Sequence, residues 1–572
     1  MRARIARRPP GTRRAARAGC VRSAGAIAAA VLVLPLVMSA CATGGRSAQS
    51  RSTPRPSSRH SVTARTSGPT ARTTVPHAAA ASTSWPLQGN NAWGDRYSPD
   101  STLTASNVSS MVPAFSVGLP ASRGGEEDYP IESGGVLYVT ATGDRVLALD
   151  AATGAEIWSY TPSLAGEPWW AIGVSRGIAL GGGKVYLLTA NDRLVALDAA
   201  TGSVVYSVQV ASPAAGYSET SPPLVAGNVV VVGSAGGDQG VRGFVAGYDG
   251  ATGARIWKFY TVPAPGSGWN PPTGSHGGGA VWTTPVWDPA TGVVYVPTGN
   301  PSPDYYGAAR PGPDPYTDSV VALSVATGKL LWASQEVPHD LWDYDVASPP
   351  LLFRRAGSLA VGEAGKDGMW YEWNAATGAQ LVAPVPFVRI DNSPPTPAGV
   401  EEWPGSEGGA NYGPSAYDPS TGDVYVAGIN GPQILYSGSQ AHSPGGEDLG
   451  TRQGSPAGAG YTGTVTAIDT VTGKVAWQVD TASPAIGGVT ATAGGLLLFG
   501  TENANLRALD ARTGKTLWEV AAGAPVGAAP SVYELAGATY VALATGGADS
   551  LVYQFPSTAA YQLRVWKLPV GP

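Results

Sequence analysis

Cysteine is nearly absent. The 572 residues contain only Cys20 and Cys41, both ahead of the first foldable segment, so residues 85–572 have none. That excludes disulfides, a Cys-ligated zinc or iron–sulfur centre, a cysteine nucleophile and a Cys-x-x-Cys-His haem attachment. Histidine is also sparse there: His276, His339 and His442 show no metal-ligand spacing, and only His339 adjoins a candidate site string. No glycine-rich phosphate loop opens a predicted helix. Charge is low, at 13%, and beyond residue 84 it is acidic, with 22 basic against 41 acidic side chains. A nucleic-acid partner, which needs a basic face, is not expected. What is plentiful is Gly (77), Pro (49), Tyr (24) and Trp (17), a balance suited to a turn-dense β protein with a large core and unsuited to a coiled coil.

The basic residues missing from the body are at the N-terminus. Residues 1–84 hold fourteen Arg and neither Asp nor Glu. Arginine-rich residues 2–22 precede the apolar stretch Ala24–Met38, too short for a comfortable span, and Ser39-Ala40 then precede Cys41. This reads as an export signal over 1–40. The run Leu36-Val-Met-Ser-Ala-Cys41 resembles a lipoprotein signal in which Cys41 becomes the lipidated first residue; an ordinary secretory leader is the alternative. The twin arginines at 7–8 and 13–14 also fit a Tat route, weakly, since the whole segment is arginine-rich. Residues 41–84, built from Ser, Thr, Arg, Pro and Ala, bury too little apolar surface to order themselves and are expected to be a tether.

The remainder repeats. Asp-x-x-Thr-Gly-x-x-x-Trp occurs at Asp150–Trp158, Asp249–Trp257, Asp469–Trp477 and Asp510–Trp518. Weaker copies start at Asp198, Ser324 and Asn374, and a related turn at Asp418/Thr421/Gly422 falls in the longest gap. Upstream of each lies period-2 apolar alternation such as Val146-Leu-Ala-Leu. Asp or Asn can bond the turn backbone, Gly supplies positive φ, and the Trp falls on the next strand, where it can wedge between sheets. Counting the Asp418 turn gives eight units. A lone meander cannot bury both faces, so the expected fold is all-β, an eight-bladed β-propeller of four-stranded antiparallel blades.

Several strings stand out from the repeat. His339-Asp-Leu-Trp-Asp343-Tyr-Asp345 places two carboxylates one residue apart, able to offer oxygens to one hard cation or to form a solvated acidic loop. Pro297-Thr-Gly-Asn300-Pro and Gly236-Gly-Asp238-Gln-Gly are further candidate turns. With the tryptophan repeat, these strings resemble the pyrroloquinoline quinone (PQQ) dehydrogenase family over about 85% of the chain. The repeat alone does not imply an enzyme, because outer-membrane assembly lipoproteins share it; a non-catalytic protein-binding scaffold is the alternative.

The resemblance implies specific roles. Asp343 would be the catalytic base and a metal neighbour, with Asp238, Asn300 and Asp345 as further ligands. Calcium is the expected ion, with a lanthanide or magnesium as alternatives, because Asp238 stands where alcohol-oxidising members commonly have Glu and Asp345 occupies the position of an extra ligand. Glu127, Arg176, Thr220, Trp282, Lys366 and Asn411 occupy family-like cofactor positions. A PQQ tricarboxylate would need such cations, donors and flat surfaces. Many members stack a vicinal disulfide above the cofactor; this chain has Trp170 and Ala171 there, as expected of sugar-oxidising members, and Trp169 or Trp170 would cover that face. The implied activity is oxidation of a small alcohol or sugar, with electrons leaving to a separate cytochrome or quinone, outside the cytoplasm and anchored to the membrane at Cys41. The Gly/Pro-rich loops 263–279, 301–315 and 437–460 are expected to frame the mouth.

Overall fold

The computed structural model describes residues 83–120, 125–165, 174–264, 269, 276–546 and 560–570. The expected signal, Cys41 and all but the last two residues of the tether lie outside them, as do Trp169, Trp170 and Ala171. The described chain begins at Thr83, which bridges to Glu534.

Eight sheets, each built on four antiparallel propeller strands, account for most of this chain, and that of blade 7 adds Tyr97–Ser98 in parallel. Blades 1–7 run over residues 131–160, 179–209, 224–260, 286–335, 351–386, 416–481 and 489–521. Blade 8 takes three strands from 531–567, and its fourth is Val112–Gly118, which pairs antiparallel with Gln562–Lys567. The strand Val112–Gly118 thus closes the ring onto Gln562–Lys567. A small three-stranded sheet (Val400–Glu402, Gln433–Leu435, Gln453–Gly454) is an addition to the wheel.

Strand alternation explains the packing. First strands are buried, whereas fourth strands expose Ile157, Val204, Ile256 and Leu331, so each blade runs from the hub outward. The apolar clusters lie between blades. Tyr138 and Trp158 of blade 1 pack with Val185 and Leu187 of blade 2, and equivalent clusters join each successive pair. The last contains Leu137 of blade 1, Leu498 of blade 7 and Val541 of blade 8, which closes the circle.

The repeat motif is the joint. In blade 1, Asp150 Oδ1 accepts from the Thr153 N–H and hydroxyl, and Gly154 turns with φ +75°. The aromatic of one blade then rests on the glycine of the next blade's turn. A Cβ on Gly202 would stand 2.5 Å from Trp158, one on Gly328 2.5 Å from Trp257, and one on Gly514 2.6 Å from Trp477. Each indole N–H donates to a carbonyl of the same receiving turn: Trp158 to Ala199 at 3.0 Å, Trp257 to Val325 at 2.7 Å, Trp332 to Ala375 at 3.0 Å and Trp477 to Ala511 at 3.0 Å. Where the motif is weak a substitute does the work: Tyr206 covers Gly253, and Phe115 of the closing strand covers Gly154.

The expected total of eight holds, but the eighth unit is not the Asp418 turn. That turn joins the first two strands of blade 6, which already owns the Asp469 motif, and nothing lies within 4 Å of a Cβ on Gly422. The true eighth blade carries no copy of the motif, because its fourth strand arrives from the other end of the chain and needs no such turn.

Gly328→Ala is expected to cost about 1–3 kcal/mol, because it adds a clash with Trp257 to an unfavourable positive φ. Gly422→Ala, strained equally but uncrowded, should cost about 1 kcal/mol or less. Guanidinium unfolding midpoints of the two variants measure the docking contribution by difference.

Candidate functional site

In an antiparallel blade the segment entering the first strand and the connection between the second and third strands lie on one rim, and the docking turns lie on the other. The candidate residues fall on the first rim. Glu127, Arg176, Thr220, Trp282 and Asn411 each precede the first strand of blades 1, 2, 3, 4 and 6 by three to five residues, and Asp343 and Asp345 precede that of blade 5. Asp238, Asn300 and Lys366 lie in second-to-third strand connections of blades 3, 4 and 5. Residues far apart in sequence therefore meet in one cavity of about 270 Å³. Its lining includes Glu127, Arg176, Thr220, Asp238, Trp282, Asp343, Asp345, Lys366 and Asn411.

Arg176 is the organised cation of one side. Its Nε lies 2.7 Å from Glu127 Oε2, and its Nη1 donates to Thr220 Oγ1 at 2.9 Å. The guanidinium stands over the Trp282 ring at 5.0 Å and the Tyr412 ring at 4.5 Å. Stacking and a buried carboxylate fix its plane.

Lys366 organises the other side. Its ammonium reaches Asp345 Oδ2 at 2.6 Å and Asp343 Oδ1 at 3.2 Å, leaving one of three donors for another partner. Asp345 Oδ1 accepts from the Asn300 backbone N–H at 2.9 Å and from Trp282 Nε1 at 3.1 Å. Asp343 holds the left-handed conformation, φ +65°, which costs about 1–3 kcal/mol in a non-glycine residue. The paired acidic string thus forms no strand; the turn at Asp343 aims both carboxylates at one ammonium.

The carboxylates diverge electrostatically. Burial, first, lifts the Asp343 carboxyl well above its ordinary range; Lys366 only partly opposes this, while Asp345 and Asp238 add repulsion. Burial acts on Asp345 in the same direction, but Lys366, Asn300 and Trp282 more than reverse it and hold this group low. Burial would depress Lys366, yet Asp343 and Asp345 keep its pKa well above the usual value. Asp238 is pushed up to about 6, mainly by burial and then by Asp345, although its side chain is open to the cavity.

Asp238 and Asp343 come together, and the carboxylate that completes their cluster is Asp304: one oxygen from each of the three lies within 4.8 Å of the others. Asp345 stands outside this group because both its oxygens are bound by Lys366, Trp282 and Asn300. Asn300 is buried, its Nδ2 donates to Pro301 O at 3.4 Å, and its Oδ1 lies 3.7 Å from a Cβ placed on Gly237, next to Asp238. Asp304 escaped the sequence reading because Pro301-Ser-Pro-Asp304 looks like an ordinary turn; its spacing of four from Asn300 was the one available signal. Ser406, Glu407 and Gln453 also line the cavity and carried no motif. The mouth loops 301–315 and 437–460 meet beside Asp238: its carbonyl accepts from the Asp448 N–H at 2.6 Å, and Ser302 Oγ donates to Asp448 O at 2.9 Å. His339 faces Asp314 at 3.5 Å and is not in the lining, while His276 and His442 stack at 4.1 Å.

A family model described as the glucose/ethanol/alcohol dehydrogenase β-propeller domain matches residues 85–393, and one described as outer membrane protein assembly factor BamB matches 461–553. Quinohemoprotein alcohol dehydrogenase ADH IIB of Pseudomonas putida is 33% identical over 519 residues, spanning 81% of this chain and 73% of that protein. Quinoprotein alcohol dehydrogenase PedH of Pseudomonas putida is 31% identical over 510 residues, spanning 80% and 85%. Among solved structures, quinohemoprotein alcohol dehydrogenase ADHIIG from Pseudomonas putida HK5 superposes with a TM-score of 0.79 at 28% identity, over 86% of this chain and 82% of that one. A europium-containing methanol dehydrogenase gives 0.78 at 27% identity, over 85% and 98%.

Buried carboxyls around this rim set a pH dependence. Asp128, next to Glu127, is pushed up to about 7 and Asp340 to about 6, both mainly by burial. Between pH 4 and 7 the folded chain holds protons that the unfolded chain has released, so stability falls as pH rises through that window. The melting temperature of metal-free protein should therefore be higher at pH 5.5 than at pH 8. Asp128→Asn, which keeps an acceptor for the Thr140 hydroxyl, should reduce the slope by about 1 kcal/mol per pH unit. A calorimetric pH series compares the two proteins.

Proposed function

The chain belongs to the glucose/ethanol/alcohol dehydrogenase β-propeller family of PQQ enzymes, and from that premise we propose that it is a PQQ-dependent dehydrogenase acting on a small alcohol, with a sugar hydroxyl as the alternative substrate class. The observation that carries the reading is the convergence on one cavity of two buried cations, an exposed indole face and a cluster of carboxylates. A flat tricarboxylate fits that donor set: Arg176 and the free donor of Lys366 answer carboxylates, Thr220 and Asn411 supply hydrogen bonds, and the Trp282 ring offers a floor.

Asp238, Asn300 and Asp343 hold a hard, oxygen-ligated cation, with calcium the starting expectation and a lanthanide or magnesium the alternatives. Bound there, PQQ supplies the hydride acceptor and the cation supplies Lewis acidity. Asp343 removes the substrate's hydroxyl proton, so that loss of hydride from the adjacent carbon leaves an aldehyde or ketone. Lys366 orients Asp343 and offsets its repulsion with Asp345. The loops at 301–315 and 437–460 restrict water and choose the substrate. Electrons leave to a separate cytochrome or quinone, since the sequence has no haem-attachment string. The arginine-rich leader and Cys41 support an extracytoplasmic, lipid-anchored protein.

Purified protein incubated with PQQ and calcium, and separately with a lanthanide, should acquire a bound-quinone absorption spectrum and reduce an artificial dye when an alcohol panel is added. Asp343→Ala should lower kcat/KM by about 10²–10⁴ while Arg176 and Trp282 still retain cofactor. A bound cofactor without turnover on any alcohol or sugar would reject the dehydrogenase reading and leave a binding protein.

A further inference from the structure

Asp304 lies four residues beyond Asn300 in the same connection of blade 4 and is fully buried. Its carboxylate reaches the cluster formed with Asp238 and Asp343. Among the described residues, neither of its oxygens has a hydrogen-bond partner. The neighbouring Arg310 makes no hydrogen bond to that carboxylate, and four of its five donors are engaged elsewhere. Nε donates to Pro303 O at 3.0 Å, Nη1 binds Asp314 Oδ2 at 2.5 Å, and Nη2 donates to the backbone carbonyls of Asp304, at 2.8 Å, and Asp340. A carboxylate that is buried, without a donor and within reach of two others is retained against a large desolvation cost. A cation lying among the three would offset it.

We propose that Asp304 is a direct ligand of the cation held by Asp238 and Asp343, and that this third carboxylate makes the site select a trivalent lanthanide over calcium. The proposal rests on the reading of the hub as a metal-dependent dehydrogenase site and names its ion. Charge counting decides between the ions. Asp345 and Lys366 cancel one another at 2.6 Å. Asp238, Asp304 and Asp343 then carry three formal negative charges into a region with no other unspent cation among the side chains described above. Both ions accept hard oxygen donors, so ligand type does not discriminate. A divalent ion leaves one buried negative charge uncompensated, whereas a trivalent ion balances all three, and attraction grows with the product of the charges. Magnesium is disfavoured further because it keeps several waters and demands octahedral geometry.

The test uses the metal-free full chain, titrated with terbium(III) by tryptophan-sensitised luminescence and with calcium by competition. Wild type should bind terbium at least about 100-fold more tightly than calcium, and Asp304→Asn should lose about 100-fold for terbium but less than about 10-fold for calcium. Melting of the metal-free proteins adds a readout that a merely structural role would not give: Asp304→Asn, and a second variant Asp304→Ser, should melt higher than wild type because a buried carboxyl crowded by two others and without a donor is gone, and should gain less on adding terbium. An unchanged terbium-to-calcium ratio in Asp304→Asn, or no trivalent preference in wild type, would overturn the proposal. If PQQ-dependent turnover persists with calcium in that event, the dehydrogenase reading stands and only the role of Asp304 falls. If neither ion binds wild type, both fall together.

Discussion

An aromatic ring resting on the glycine of the next blade's turn is the contact from which the architecture follows. Trp158 needs Gly202 bare, Trp257 needs Gly328 bare and Trp477 needs Gly514 bare, because a side chain there would occupy the ring's place. The same turn supplies the carbonyl that satisfies the indole N–H, so a large apolar area is buried without leaving a polar atom orphaned. Present at six of the eight joints, from Trp158 on Gly202 round to Phe115 on Gly154, with Val382 covering Gly473 between blades 5 and 6, this contact fixes the angle between neighbouring blades. Rim loops can then be irregular without disturbing the scaffold.

The site exploits that division of labour. All its side chains stand on the rim opposite the docking turns, in segments that enter first strands or connect second to third strands. The segments entering blades 1, 2, 3, 4 and 6 deliver most of the polar and aromatic lining. The second-to-third connections of blades 3 and 4 deliver Asp238 and Asp304 to the carboxylate cluster, and the segment entering blade 5 delivers Asp343. The hub carries a surplus of buried negative charge and one residue, Asp343, in a strained backbone conformation. These features lower the stability of the metal-free chain and mark a place arranged for binding, where the strain is held by a rigid ring.

Much of this was legible in the sequence. The repeat announced blades because its turn chemistry is local: Asp, Thr and Gly act on residues two or three away. The strings around Asp238, Asn300 and Asp343 were found because they resemble segments of the PQQ dehydrogenase family. The misreading of the Asp418 turn has the same origin, since a first-to-second strand hairpin can use the same residues as a docking turn, and only the neighbour that covers the glycine tells them apart. The eighth blade was invisible because its outer strand is 444 residues away from the next strand in the sheet, Gln562–Lys567. The resemblance implies Asp345 as an extra ligand, and in the structure its oxygens accept from Asn300, Trp282 and Lys366.

The amino-acid sequence by itself determined the all-β class, seven of the eight units, the exclusion of cysteine chemistry and the pool of polar residues available at the rim, because each of these depends on composition or on contacts between near neighbours. Tertiary structure alone decided which carboxylates meet. Asp304 joins Asp238 and Asp343, and Asp345 pairs with Lys366, because ring closure brings loops of three blades to one point, and distance through space, unlike spacing along the chain, sets which charges interact.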